Sequence, residues 1–170
     1  MPIHVFVDES KSRGLLMAAA RCPADEVTVN RKALRSFLLP GQERLHFNNE
    51  TDSRRKQILK MIGDFHLLVD VYHVDRETPA NRRRCLEAIV RDNAGDAERL
   101  VIERDDSTYD KDHTTLHAAC HRFGCFDLRW ELLAPKLDAL LWVPDAVAAA
   151  WARGGHWRRL VAPYSQEREL

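Results

Sequence analysis

Apolar and polar positions along this chain follow two periods, one of strands and one of helices. Ile3, Val5, Phe6 and Val7 form a β-type run that stops abruptly at Asp8-Glu9-Ser10. After the polar turn Lys11-Ser12-Arg13, the run Gly14 to Arg21 predicts the second arm of an antiparallel hairpin, although its alanines also suit a helix. Helical spacing sets in at Ala24 and turns Val27, Ala33, Leu34, Phe37 and Leu38 inward, until Pro40-Gly41 stops it. Arg44-Leu45-His46-Phe47 predicts a short strand or extended segment, and residues 48–53 offer helix-start chemistry. Ile58, Leu59, Ile62 and Phe65 then form the buried stripe of a helix.

Residues 66–75 alternate as a strand, and Pro79 opens a helix with Leu86, Ile89 and Val90 inward that ends near Gly95. Leu100-Val101-Ile102 repeats the opening pattern: an apolar strand runs into the acids Glu103, Asp105 and Asp106. Ser107 or Thr108 caps a helix reaching about Arg122, and Phe126 to Trp130 predicts a further strand. Leu140 to Val143 leads through Pro144-Asp145 into an alanine-rich helix stopped by Gly154-Gly155. Residues 157–170 are expected as a partly ordered tail of the same domain. Strands interleaved with helices predict an α/β fold.

Length and composition narrow this picture. A chain of 170 residues, 45% hydrophobic and 31% charged, fits one globular domain with a sizeable core. Neither a signal peptide nor an apolar run of bilayer length is visible, so the expected location is the cytoplasm, with no membrane partner. Twenty-six basic and 26 acidic residues cancel, which makes any affinity for nucleic acid a matter of local patches. Cys22, Cys85, Cys120 and Cys125 lack the spacing of a zinc site or disulfide framework and are expected as buried thiols.

The candidate chemistry lies in acids placed at the ends of apolar elements. Asp8 follows the first strand, Glu103 and Asp105 end a later one, and Asp145 opens the last main helix. In α/β folds such strand ends are where ligands bind, although an Asp or Ser there also simply shapes a turn. Carboxylates drawn from several elements suit a hard divalent cation, Mg²⁺ or Mn²⁺, and a metal-assisted hydrolysis. Lys11 directly follows the first acids, where it can compete with a metal for their charge. Glu9-Ser10-Lys11 also spells the E-x-K part of a restriction-type nuclease motif, but residues 1–7 lack the acid that motif needs on a preceding strand.

Four basic groups can track a phosphate backbone: Arg31/Lys32/Arg35, Arg54/Arg55/Lys56, Arg82/Arg83/Arg84 and Arg153/Arg158/Arg159. The second and third are the expected nucleic-acid contacts; solvated helix faces are their plain alternative. His113, His117 and His121 share one helix face. That row is a polar surface, a transition-metal site, or a source of proton transfer beside the acids, with His113 and His117 the candidates.

The opening Phe6-Val7-Asp8-Glu9-Ser10 resembles that of a large bacterial family of RNase H-like proteins, domain of unknown function 3800. Val101-Ile102-Glu103-Arg104 is similar to its central strand, with Glu103 where Asp is usual, and Leu140 to Ala148 is similar to its terminal helix motif around Asp145. Arg44 to Phe47 falls about where the family has a short polar motif, and Lys11 departs from its usual small residue. The resemblance implies a single RNase H-like domain, a mixed sheet flanked by helices with metal-binding acids at one edge. It makes Asp8, Glu103 and Asp145 the expected metal ligands, with Glu9 and Asp105 as alternates. The expected function is a divalent-metal-dependent nuclease acting on RNA or DNA, or an inactive RNase H-like module that binds nucleic acid or protein.

Overall fold

Strands β1 (Ile3–Ser10), β2 (Leu15–Pro23), β3 (Leu68–Val74), β4 (Ala97–Glu103), β5 (Arg129–Leu133) and β6 (Ser165–Arg168) form one mixed sheet. They are seen in a computed structural model that describes residues 2–170. The strand order is β5-β4-β1-β2-β3-β6, and β2 alone runs against the others. The apolar β1 thus sits in the middle, and the hairpin alternative for Gly14 to Arg21 prevails over the helix. Its turn depends on Gly14, whose φ is +75° and whose missing Cβ would lie 2.4 Å from the Val74 carbonyl oxygen.

Among the described residues, six helices cover the two faces. On one face lie α1 (Val27–Ser36), α2 (Asp52–Asp64), α5 (Trp142–Arg153) and α6 (Gly155–Val161), packed on Phe6, Ala18, Ala20, Val69 and Val101. On the other lie α3 (Pro79–Asn93) and α4 (Tyr109–Arg122), packed on Val5, Val7, Met17, Leu100 and Ile102. Successive strand residues point to opposite faces, so β1 feeds both cores at once. Alanine-rich α5 lies across β1 and β2, where Ala18, Ala20, Ala146 and Ala149 keep both surfaces small and allow close approach. The chain is a single α/β domain. Among the described residues no helix is long and apolar enough to cross a membrane.

The C-terminal segment departs from expectation. Residues 157–170 are not a loose tail: they complete α6, turn through a 3₁₀ segment and add β6 beside β3. Trp157, Val161 and Tyr164 bury their side chains, the Tyr164 hydroxyl donates to the Leu59 carbonyl at 3.0 Å, and Gln166 donates to buried Asp70 at 2.9 Å. Arg44 to Phe47 forms no strand. It is an extended loop ending in a 3₁₀ turn at Phe47–Asn49. All four cysteines are buried free thiols, as expected.

Candidate active site

Three of the predicted acids come within charge–charge reach of one another. Asp8 shares the face of Phe6 on β1, and Glu103 shares the face of Val101 on β4. The parallel register pairs Phe6 with Val101 and Val7 with Ile102, so one step further it sets Asp8 beside Glu103. Asp145 projects from the first turn of α5, which crosses this face. Asp8 is 4% exposed and Asp145 9%. Burial pushes Asp8 well above the usual carboxylate range, and its contact with Glu103 and the charges of Glu103 and Asp145 push it further. The Glu9 N–H, 2.7 Å from Asp8 Oδ1, opposes this only in part. Burial likewise raises Asp145, against the Phe47 N–H at 3.0 Å and the nearby His46 and Arg44. Two buried carboxyl groups are therefore held where ionisation is disfavoured, the signature of negative charge short of a counter-cation.

The loop before α2 contributes residues that sequence reasoning left out of the site. Leu45 and Phe47 are buried in the core, so the alternating Arg44 and His46 face the acids. Arg44 reaches Glu103 Oε1 with Nη1 at 3.4 Å and Asp145 Oδ2 with Nη2 at 3.9 Å. Its Nη2 and the Nδ1 of His46 are buried without a hydrogen-bond partner among the described residues. The alternation of apolar and polar side chains in Arg44-Leu45-His46-Phe47 was the available signal.

Arg55, expected to bind nucleic acid, instead holds this loop. It donates to the carbonyls of Phe47 at 2.8 Å and Asn48 at 2.7 Å, and to Asp52 at 2.8 Å. Arg54 donates to Glu50 and the Phe37 carbonyl and stacks 4.3 Å from the Phe37 ring. Both guanidinium groups are committed to the fold because a planar fork satisfies several carbonyl and carboxylate oxygens at once. Lys56 is exposed on α2.

The remaining candidates lie elsewhere. Glu9 points to the opposite face, where Arg82 donates to it and, bidentately at 2.8 Å, to Asp112. Arg82 is thus a buried structural cation rather than a phosphate contact; Arg83 and Arg84 are exposed on the same helix, away from the three acids. Asp105 is held down at about 2 by the Ser107 hydroxyl and by Lys11. Lys11 itself sits 3.0 Å from Glu77 and 3.1 Å from Asp105. Neither alternate metal ligand, Glu9 or Asp105, joins the Asp8 group, and Lys11 does not compete there. His113 and His117 are exposed on α4, beyond the opposite face of the sheet, with the His113 ring edge-on to Trp130 at 4.8 Å. They are out of place for proton transfer at Asp8.

Chemically, Asp8, Glu103 and Asp145 offer hard oxygen donors of the kind Mg²⁺ and Mn²⁺ take. Among the described residues no three His, Cys, Asp or Glu side chains stand in the arrangement of a formed metal site. The Arg44 guanidinium contacts two of the three acids. No protein-family model matches the chain, and no curated protein matches it in sequence.

Proposed function

We propose that this protein is a Mg²⁺- or Mn²⁺-dependent phosphodiesterase acting on RNA or DNA, on an RNase H-like fold related to domain of unknown function 3800. The observation that supports it is the convergence of Asp8, Glu103 and Asp145 from β1, β4 and α5 at one edge of a helix-flanked mixed sheet. These three carboxylates would hold the ion, which when bound supplies a metal-activated water and stabilises charge on the phosphate. The chain's own part is positional. The Phe47 N–H fixes one oxygen of Asp145, the parallel register fixes Asp8 against Glu103, and Arg44 holds a cation beside Glu103.

The test is cleavage of labelled single- and double-stranded RNA and DNA with Mg²⁺ or Mn²⁺. Wild type is expected to cut in a metal-dependent way, and Asp8→Asn to lose about 100-fold or more of the rate, as loss of charge stabilisation at a reacting centre does. Equal rates would remove Asp8 from the reaction. The pairing of Arg44 with Glu103 and Asp145 favours a second reading, a binding module without turnover. That reading predicts nucleic-acid binding with no cleavage under any divalent ion.

A further inference from the structure

Arg44 is the one cation in ion-pair reach of the three-acid group among the described residues. Its placement is unlike that of the buried Arg82. Arg82 has every contact short and directional, with two 2.8 Å bonds to Asp112 and a further one to Glu9. Arg44 has loose contacts, 3.4 Å to Glu103 and 3.9 Å to Asp145, and a buried Nη2 that makes no hydrogen bond. Its other bond, from Nε to the Leu45 carbonyl, is 3.4 Å long. A guanidinium this poorly bonded is held by charge rather than by fit. It is also mounted on a loop rather than on a strand or helix, between Gly41 and the 3₁₀ turn at Phe47–Asn49. Phe47 and Asn48 downstream are clamped by Arg55, so a swing of the Arg44 side chain need not disturb the Phe47 N–H that orients Asp145.

We infer that Arg44 is a resident counter-cation that closes the three-acid site in its resting form, competes with a divalent ion for Glu103 and Asp145, and is displaced when that ion enters. The inference rests on the metal site proposed above. Two positive charges within about 4 Å of the same oxygens repel strongly in a partly buried site, so the guanidinium and the ion exclude one another. Once displaced, Arg44 remains tethered beside the acids, where its planar fork suits the non-bridging oxygens of a phosphodiester. The same residue would then oppose the ion and favour the substrate.

Calorimetric titration with Mn²⁺ alone separates these effects. Arg44→Gln and Arg44→Ala are expected to bind Mn²⁺ about tenfold more tightly than wild type, the scale of losing one partly buried competing ion pair. In the same variants, cleavage of labelled nucleic acid at saturating Mn²⁺ should fall rather than rise. A second measurement needs no variant. The Nε–H resonance of Arg44 in ¹⁵N-labelled wild type should shift as Mg²⁺ is added, with a midpoint equal to the Kd from a calorimetric titration with Mg²⁺. Unchanged Mn²⁺ affinity in both variants, or an Arg44 resonance indifferent to saturating Mg²⁺, would overturn the inference. Tighter Mn²⁺ binding in the variants with no cleavage by wild type would instead overturn the phosphodiesterase and leave the competition standing. Absence of divalent binding in every form would overturn both.

Discussion

Asp8 and Glu9 are adjacent residues of one strand with opposite fates. Glu9 enters a hydrogen-bonded network on the α3/α4 face, where Arg82 bridges it to Asp112. Asp8 enters an under-compensated one on the α5 face, against Glu103 and Asp145, with only a loosely placed Arg44 in reply. Burial raises both Asp8 and Glu9, but for Glu9 the charges of Arg82 and Lys11 oppose it, whereas for Asp8 the neighbouring charges add to it. A buried ion pair with every lone pair satisfied holds elements together; buried acids that repel one another cost stability and are kept for what they bind. Under the proposed function the Asp8 side is the working face, and the Glu9 side its structural counterpart.

The largest effect should come from breaking the better compensated side. Arg82→Ala would leave Asp112 and Glu9 buried without their cation, and a loss of about 3–5 kcal/mol in denaturant unfolding is expected. A loss below about 1 kcal/mol would mean that the network is not structural.

Asp8→Asn should act in the opposite direction. The amide removes a buried negative charge and can donate to Glu103, so stability at neutral pH is expected to rise by on the order of 1 kcal/mol. The pH dependence follows from the raised folded-state pKa of Asp8. Its contribution favours the folded state below its ordinary value of 3.8 and is lost as pH rises through the raised folded value. Wild type should therefore weaken relative to Asp8→Asn between about pH 4 and neutrality, and parallel curves across that range would contradict the assignment.

The smallest effect belongs to Lys11→Met. Lys11 is partly exposed and pairs with Glu77 and Asp105, so less than about 1 kcal/mol should be lost. No change in Mn²⁺ affinity should accompany it, because Lys11 serves the other face. A clear change in affinity would show that the two faces are electrostatically joined.

Much of this division was legible in the sequence. The strand and helix periods place most main elements, though β5 begins at Arg129 rather than Phe126 and α6 and β6 were not foreseen, and acids at the ends of apolar runs point to Asp8, Glu103 and Asp145. Three misplacements had readable causes. Grouping Glu9 with Asp8 ignored strand alternation, which sends neighbours to opposite faces. Treating Arg82/Arg83/Arg84 as one surface cluster ignored that Arg82 shares the helical stripe of Cys85, Leu86 and Ile89, so that it alone is buried. The tail looked polar, yet Trp157, Val161 and Tyr164 recur at i, i+4 and i+7 and dock it. What no local pattern held was the pairing across faces. Which side of the sheet α4 covers, and hence where His113 and His117 point, is set by the topology of the whole chain. So is the choice of Arg44 rather than Lys11 as the cation beside the acids.

The central claim is that Asp8, and not its neighbour Glu9, belongs to a divalent-ion site. Calorimetric titration of Mn²⁺ into wild type, Asp8→Asn and Glu9→Gln tests it most directly. Binding retained in Glu9→Gln and abolished in Asp8→Asn is the expected result. Binding that survives Asp8→Asn, or is lost equally in both variants, would contradict the account.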